Sequence, residues 1–298
     1  MTRLISLLSD FGTKDPFVGE LKAVIFSICP EAKLVDITHE VERFNIWMGA
    51  FMLARAAPSF PTGTVHIAVV DPGVGGERWP IAVETNRSLY VGPDNGLLIP
   101  AAKREGIRRV YHLTNELLML DRISSTFDGR DIFAPVAAHL ACGTPVQETG
   151  EELTDYVRLS FGDPEFDRRG ATCKVIHIDH FGNVITNILQ QDMARLKTRG
   201  KLTIALRRKR LPTRLVRAYS ALGGKELGLI VGSHGFLEIA GRESDASKRL
   251  SKKRRHDPNS KLLRVVKSYL ICDERLRDIS TIATVKTPVT HILGSVDY

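Results

Sequence analysis

Two aliphatic runs that each end abruptly on an aspartate set the strongest limit on how this chain folds. Residues 4–8 stop at Ser9-Asp10-Phe11-Gly12, and residues 64–70 stop at Asp71-Pro72-Gly73. Short apolar runs bounded by turn residues read as strands buried in a sheet. Between and after them lie amphipathic stretches. Asp15-Pro16 reads as an N-cap and a helix-starting proline, with Val18, Leu21, Ile25 and Ile28 on one helical face. Residues 46–56 predict a second helix, residues 33–37 and 108–113 further strands, and residues 131–142, closed by Gly143, a third helix with Asp131 as its N-cap. Strands alternating with helices predict an α/β layer.

Helical spacing thins out from about residue 170. Residues 173–178, 201–206, 228–231 and 236–240 read as strands joined by loops. The sequence therefore predicts an α/β N-terminal domain with a central sheet over residues 1–165, a smaller β-rich domain over 170–250 and a basic tail over 251–298.

Composition narrows the function classes. A chain of 298 residues that is 43% hydrophobic can bury a substantial core. No apolar run reaches the ~20 residues needed to cross a bilayer, and the start lacks a signal peptide's apolar centre, so a cytoplasmic protein without membrane contact is expected. The net charge of +8 is uneven: residues 241–298 hold 13 Lys/Arg against 7 Asp/Glu. Basic clusters at Arg207-Arg208-Lys209-Arg210 and Lys252-Lys253-Arg254-Arg255 read as a solvated loop and tail. No aromatic residues interleave with them, which argues against a nucleic-acid partner. Cys29, Cys142, Cys173 and Cys272 form no C-x-x-C pair and read as small apolar fillers. The nine histidines show no metal-binding spacing, so no metal is expected.

Asp10 and Asp71 sit where ligands bind in open α/β sheets, outside the carboxyl ends of strands. Either one alone is also an ordinary turn residue. The glycine loop Asp71-Pro72-Gly73-Val74-Gly75-Gly76-Glu77-Arg78 lacks dinucleotide spacing, but it is free enough to bring Arg78 back to Asp71. A desolvated Asp and Arg pair can orient a water. Pro93-Asp94-Asn95-Gly96 is a turn signature. Ser124-Ser125-Thr126-Phe127-Asp128-Gly129-Arg130-Asp131 gathers polar groups before a helix, and Asp179-His180-Phe181-Gly182-Asn183 reads as a hairpin turn or as an amide able to read an adenine edge.

Taken in order, these segments together with Ser233-His234-Gly235-Phe236-Leu237-Glu238-Ile239-Ala240 resemble the signatures of the SAM hydroxide adenosyltransferases, relatives of the SAM-dependent fluorinase and chlorinase. The resemblance runs to about residue 250. It implies an α/β N-terminal domain, a β-barrel-like C-terminal domain and a homotrimer with sites between subunits. It implies S-adenosyl-L-methionine (SAM) as substrate rather than cofactor, with no other cofactor, and adenosine and L-methionine as products. By the same resemblance Asp10 binds the ribose hydroxyls, Phe44 forms a stacking wall, Asn95 contacts substrate, Asp179 takes the methionine end and Asn183 the adenine. Ser233 and Glu238 then lie on the adenine side. The family's water-handling group is Asp, Arg and His: Asp71 and Arg78 match, while Asp128 stands where the family has His. Two alternatives follow, a homologue that binds SAM or adenosine with little turnover, and a SAM-dependent halogenase. Against the latter, a carboxylate at 128 repels halide, and Gly129 replaces the fluorinase's serine.

Overall fold

The computed structural model describes residues 4–121, 124–168, 170–196, 202–206, 209–250 and 262–267. The chain begins β1 (Leu4–Ser9), α1 (Phe17–Ile28), β2 (Lys33–Thr38), α2 (Ile46–Ala56), β3 (Val65–Val69), β4 (Pro80–Thr85), β5 (Leu89–Pro93), α3 (Ile99–Glu105), β6 (Ile107–Leu113), α4 (Ala134–Cys142) and β7 (Gly150–Glu152). These strands form one mixed sheet in the order β2-β1-β3-β5-β4-β6-β7. The pairings β1–β2, β1–β3 and β3–β5 are parallel, so four adjacent strands point their carboxyl ends the same way.

Side chains alternate across this sheet and feed two separate cores. Ile5, Leu7, Val65 and Ile67 pack with Leu21 and Ile25 of α1 and Val136 and Leu140 of α4. Leu8, Ala68, Val83 and Tyr90 pack on the opposite face with Leu53 of α2 and Ala101 of α3. Helices on both faces fit the composition of the central strands β1 and β3, which are buried along nearly their whole length, whereas the flanking β2, β6 and β7 carry exposed charged residues.

The second sheet comprises β8 (Glu165–Asp167), β9 (Gly170–Ile178), β10 (Val184–Leu189), β11 (Leu202–Leu206), β12 (Lys209–Leu215), β13 (Leu227–Val231), β14 (Phe236–Gly241) and β15 (Leu262–Lys267), with a short helix α5 (Ala246–Leu250). Its order is β10-β14-β13-β12-β11-β15-β9-β8, and a further β9–β10 pairing curls it back on itself around Cys173, Ile204, Leu229 and Ile239. The two domains join through Phe51 of α2, Ile176 of β9, Ile185 of β10 and Phe236 of β14.

Several expectations are corrected. Helix α1 starts at Phe17 behind Pro16, without a side-chain cap from Asp15. Asp131 is no N-cap: it lies fully buried in a wide π turn, Gly129–Phe133, and α4 begins only at Ala134. Lys209 and Arg210 open strand β12 rather than lying in a loop, while 207–208, 252–255 and Cys272 fall outside the described residues. Strand β15 lies within the stretch read as a tail, most of which is also outside the described residues. Cys29 and Cys142 are not fillers but a disulfide, with Cα atoms 5.9 Å apart and 113 residues between them in sequence. The fold brings the last turns of α1 and α4 together, which no local spacing announces. Cys173 is the expected buried thiol.

Candidate active site

The parallel strands deliver the N-terminal group of candidates. Register pairs Ser9 with Val69 across β1 and β3, so the turns that carry Asp10 and Asp71 leave the sheet side by side. The Asp10 Oδ2 accepts the backbone N–H of Phe44, at 2.8 Å, which ties the turn after β1 to the one after β2. Ser9 Oγ and His39 Nδ1, 2.7 Å apart, make a second tie between the same turns. Phe44 itself is 69% exposed and has φ of 64°, a left-handed conformation that costs a bulky side chain energy. It is presented to solvent beside Asp10.

After β3 the glycine loop turns back as its composition requires. Arg78 Nε donates to Asp71 Oδ2 at 2.8 Å, and Arg78 Nη2 donates to Asp128 Oδ2. The three side chains are 4% (Asp71), 12% (Arg78) and 9% (Asp128) exposed, so one guanidinium is shared by two carboxylates in a nearly dry setting. Burial works against the charged guanidinium, but hydrogen bonds to Asp71 and Asp128 outweigh it and raise Arg78 above its ordinary value. Two carboxylates against one cation leave the group net negative. The two loops also touch backbone to backbone: a Cβ on Gly75, which has φ of 75°, would lie 2.2 Å from the Ser125 carbonyl oxygen. Only glycine permits that approach.

Asn95 follows β5 on the same sheet edge, but its side chain is occupied locally. Its amide donates to the Val70 carbonyl at 2.9 Å and its Oδ1 accepts from Leu97 N–H at 3.1 Å. That makes Asn95 a brace for the turn around Asp71.

The C-terminal candidates form a second, separate group. Asp179 and Asn183 frame the tight β9–β10 turn: Asp179 Oδ1 accepts from the backbone N–H of Phe181 (3.0 Å) and Asn183 (2.9 Å), and Oδ2 accepts from the Asn183 amide (2.9 Å). Phe181 at the tip is 75% exposed. Glu238 is buried on β14 and accepts the Tyr219 hydroxyl at 3.1 Å; desolvation raises its carboxyl above the ordinary value despite that bond and the nearby Arg55. Ser233 Oγ lies 2.9 Å from His234 Nδ1, which also meets Arg55 Nη2 at 2.7 Å.

Among the described residues, every hydrogen-bond partner of Asp10, Asp71, Arg78 and Asp128 belongs to the first domain. Two surface cavities, one lined by Arg87 and Gln147 and the other by Pro212 and Lys225, share no residue with either group. Sequence reading missed Tyr219, Arg55 and the Gly75–Ser125 contact, none of which carries a local motif.

Residues 5–150 match the SAM hydroxide adenosyltransferase N-terminal domain and residues 173–257 its C-terminal domain. The chain belongs to the SAM hydroxide adenosyltransferase family. It is 39% identical over 258 residues to the (R)-S-adenosyl-L-methionine hydrolase of Methanocaldococcus jannaschii, a match covering 83% of this chain and 92% of that protein. An uncharacterized conserved protein from Thermotoga maritima has a solved structure that superposes with a TM-score of 0.81 at 37% identity, covering 88% of this chain and all of that one. The fluorinase of Nocardia brasiliensis is a more distant relative, 29% identical over 220 residues that cover 65% of this chain and 73% of the fluorinase. Among the described residues no helix is long and apolar enough to cross a membrane.

Proposed function

We propose that this protein hydrolyses SAM to adenosine and L-methionine by attack of water at the ribose C5′. The observation that carries the reading is the buried Asp71–Arg78–Asp128 bridge, set at the carboxyl edge of parallel strands in a chain of this family.

The chemistry asks little of an acid. As the water oxygen bonds to C5′, the C5′–S bond breaks, and sulfur keeps the electron pair and leaves as a neutral thioether. The water must be held opposite the sulfonium and must lose a proton. Asp71 and Asp128 each offer acceptor oxygens to that water, and Arg78 fixes both carboxylates in place. One of them takes the proton and returns it to solvent. The net negative group also favours a cationic sulfonium and disfavours an anionic nucleophile, so water rather than halide is the substrate partner.

Asp10 and Phe44 then supply ribose and stacking contacts, and Asn95 braces the loop. Asp179, Asn183, Ser233 and Glu238 supply recognition of the methionine and adenine ends. Because the two groups have no bonds to each other among the described residues of one chain, we assign the complete site to the junction of two copies in a homotrimer. Exposed Trp79 and Val74 at the rim of the first group, and Phe181 and Ile178 at the rim of the second, support this reading.

The test is product analysis after incubation with SAM in halide-free buffer, beside Asp128→His. Adenosine and methionine from the native protein are expected. Tight adenosine binding without turnover, or 5′-chloroadenosine on adding chloride, would overturn the hydrolase reading. For the shared site, inactive Arg78→Ala chains and Asp179→Ala chains impaired in KM, mixed in one oligomer and assayed at SAM well below KM, should together exceed the sum of their separate rates. No excess over that sum would place the whole site in one chain.

A further inference from the structure

The residue that follows Gly129 has no part in the proposed chemistry, yet its side chain is as heavily engaged as that of Arg78. Arg130 Nε donates to Asp131 Oδ1 at 2.6 Å, its Nη1 donates to Glu20 Oε2 of α1 at 2.9 Å, and its guanidinium carbon lies 5.1 Å from the centre of the Phe127 ring. Asp131 is fully buried, and its Oδ2 accepts the Ser124 backbone N–H at 2.7 Å. Ser124 Oγ in turn accepts the Phe127 N–H at 3.1 Å. Burial alone would raise the Asp131 carboxyl, but Arg130 and Ser124 outweigh it and hold it below the usual carboxylate range.

These bonds close residues 124–131 into a bracket with Asp128 on its inner side. Phe127 anchors the bracket edge-on against Phe11 and Phe17, with ring centres 5.6 and 5.3 Å away. Gly129 lets the rings close: a Cβ there would sit 3.2 Å from Phe127 and 3.3 Å from Phe11. Phe11 follows Asp10 directly, so the same contacts relate Asp10 to Asp128.

We propose that Arg130 is a positioning residue that acts through Asp128: by clamping the 124–131 bracket to α1, it sets where the Asp128 carboxylate meets Arg78. The inference rests on the hydrolase reading above for its kinetic consequence, and on geometry alone for the coupling between positions 130 and 128. Displacing a reacting group by about 1 Å can cost roughly 100-fold in rate without weakening substrate binding.

The experiment is a double-mutant cycle of Arg130→Met and Asp128→Asn, read both by steady-state kinetics and by thermal unfolding. Arg130→Met should lower kcat by roughly 10- to 100-fold with KM within about threefold of native. Arg130→Lys keeps the Glu20 pair but not the fork to Asp131, so it should recover part of the loss. In the Asp128→Asn background Arg130→Met should lower kcat no further. A full multiplicative loss in that background would overturn the proposal and make Arg130 a general support of the fold. Should Arg130→Met fail to fold, Glu20→Gln takes its place in the cycle with a smaller expected loss and the same non-additivity. A native protein without SAM turnover would overturn the hydrolase reading instead. Non-additive unfolding temperatures would then still uphold the coupling, and additive ones would remove it.

Discussion

The two groups of candidate residues are built on opposite principles. In the first domain, two carboxylates from two separate loops converge onto one arginine, and they lie 7 and 50 positions from it in sequence. In the second, Asp179 spends both carboxylate oxygens within its own five-residue turn. The first arrangement stores unneutralised charge where water can react. The second holds a preformed shape against which a substrate can fit. In the proposed site, reaction and recognition are thereby divided between a helix-covered sheet and a curled one, and each can be broken separately.

The largest effect should come from Arg78→Ala, which leaves two buried carboxylates facing each other without a cation. Turnover of SAM should fall by about 1000-fold or more, with a loss of about 3–5 kcal/mol in stability, measured by product chromatography and denaturant unfolding. A loss under tenfold would remove the bridge from the chemistry. Second in size is the cross-link. Cys142→Ser should cost up to about 4 kcal/mol through a loop of this length, lowering the melting temperature of the first domain and leaving KM unchanged. In the second domain burial pushes the Cys173 thiol up to about 12, so it should resist alkylation until unfolding.

Acid should divide the domains as well. Burial, helped by Arg87, lowers His66 to about 4, so between pH 6.5 and 4 the unfolded chain binds a proton that the folded chain excludes. Stability from this group is complete above pH 6.5 and falls by up to about 3 kcal/mol as pH drops to 4. Glu238 has the opposite sign: its raised carboxyl binds a proton more readily folded than unfolded, so acid relieves the second domain there. Unfolding followed from pH 7 to 4 should become less steep in His66→Phe and more steep in Glu238→Gln. The smallest effect is expected for Asp179→Ala, a rise in KM of roughly 10-fold with kcat nearly native. A matching fall in kcat would mean that the recognition turn also shapes the reacting geometry.

How much of this was legible follows from how local each cause is. Asp10 and Asp71 announce themselves because an aspartate that ends an aliphatic run marks the carboxyl end of a strand, and the glycine loop foretells the return of Arg78. Asp128 reaches the same arginine only through the packing of the π turn, and its place was legible through family resemblance rather than spacing. Strand β12 reads as a loop because Pro212 and its basic residues depress strand propensity; sheet pairing with Leu202–Leu206 overrides that. Helix α3 is short and carries Pro100 in its first turn, so its periodicity is too brief to detect. The Cys29–Cys142 link depends wholly on tertiary proximity.

The wide turn at Gly129–Phe133 has a consequence for how such a chain can change over generations. The Ala134 N–H bonds back five residues to the Gly129 carbonyl, so one extra residue is accommodated between the reacting loop and α4. That slack uncouples position 128 from the helix, whose inward face is committed to the core. A change of side chain at 128 therefore bears first on Arg78 and the reacting loop, and only through them on the packed face of α4, so that a lineage can vary the reacting group while the helix keeps its seat in the core.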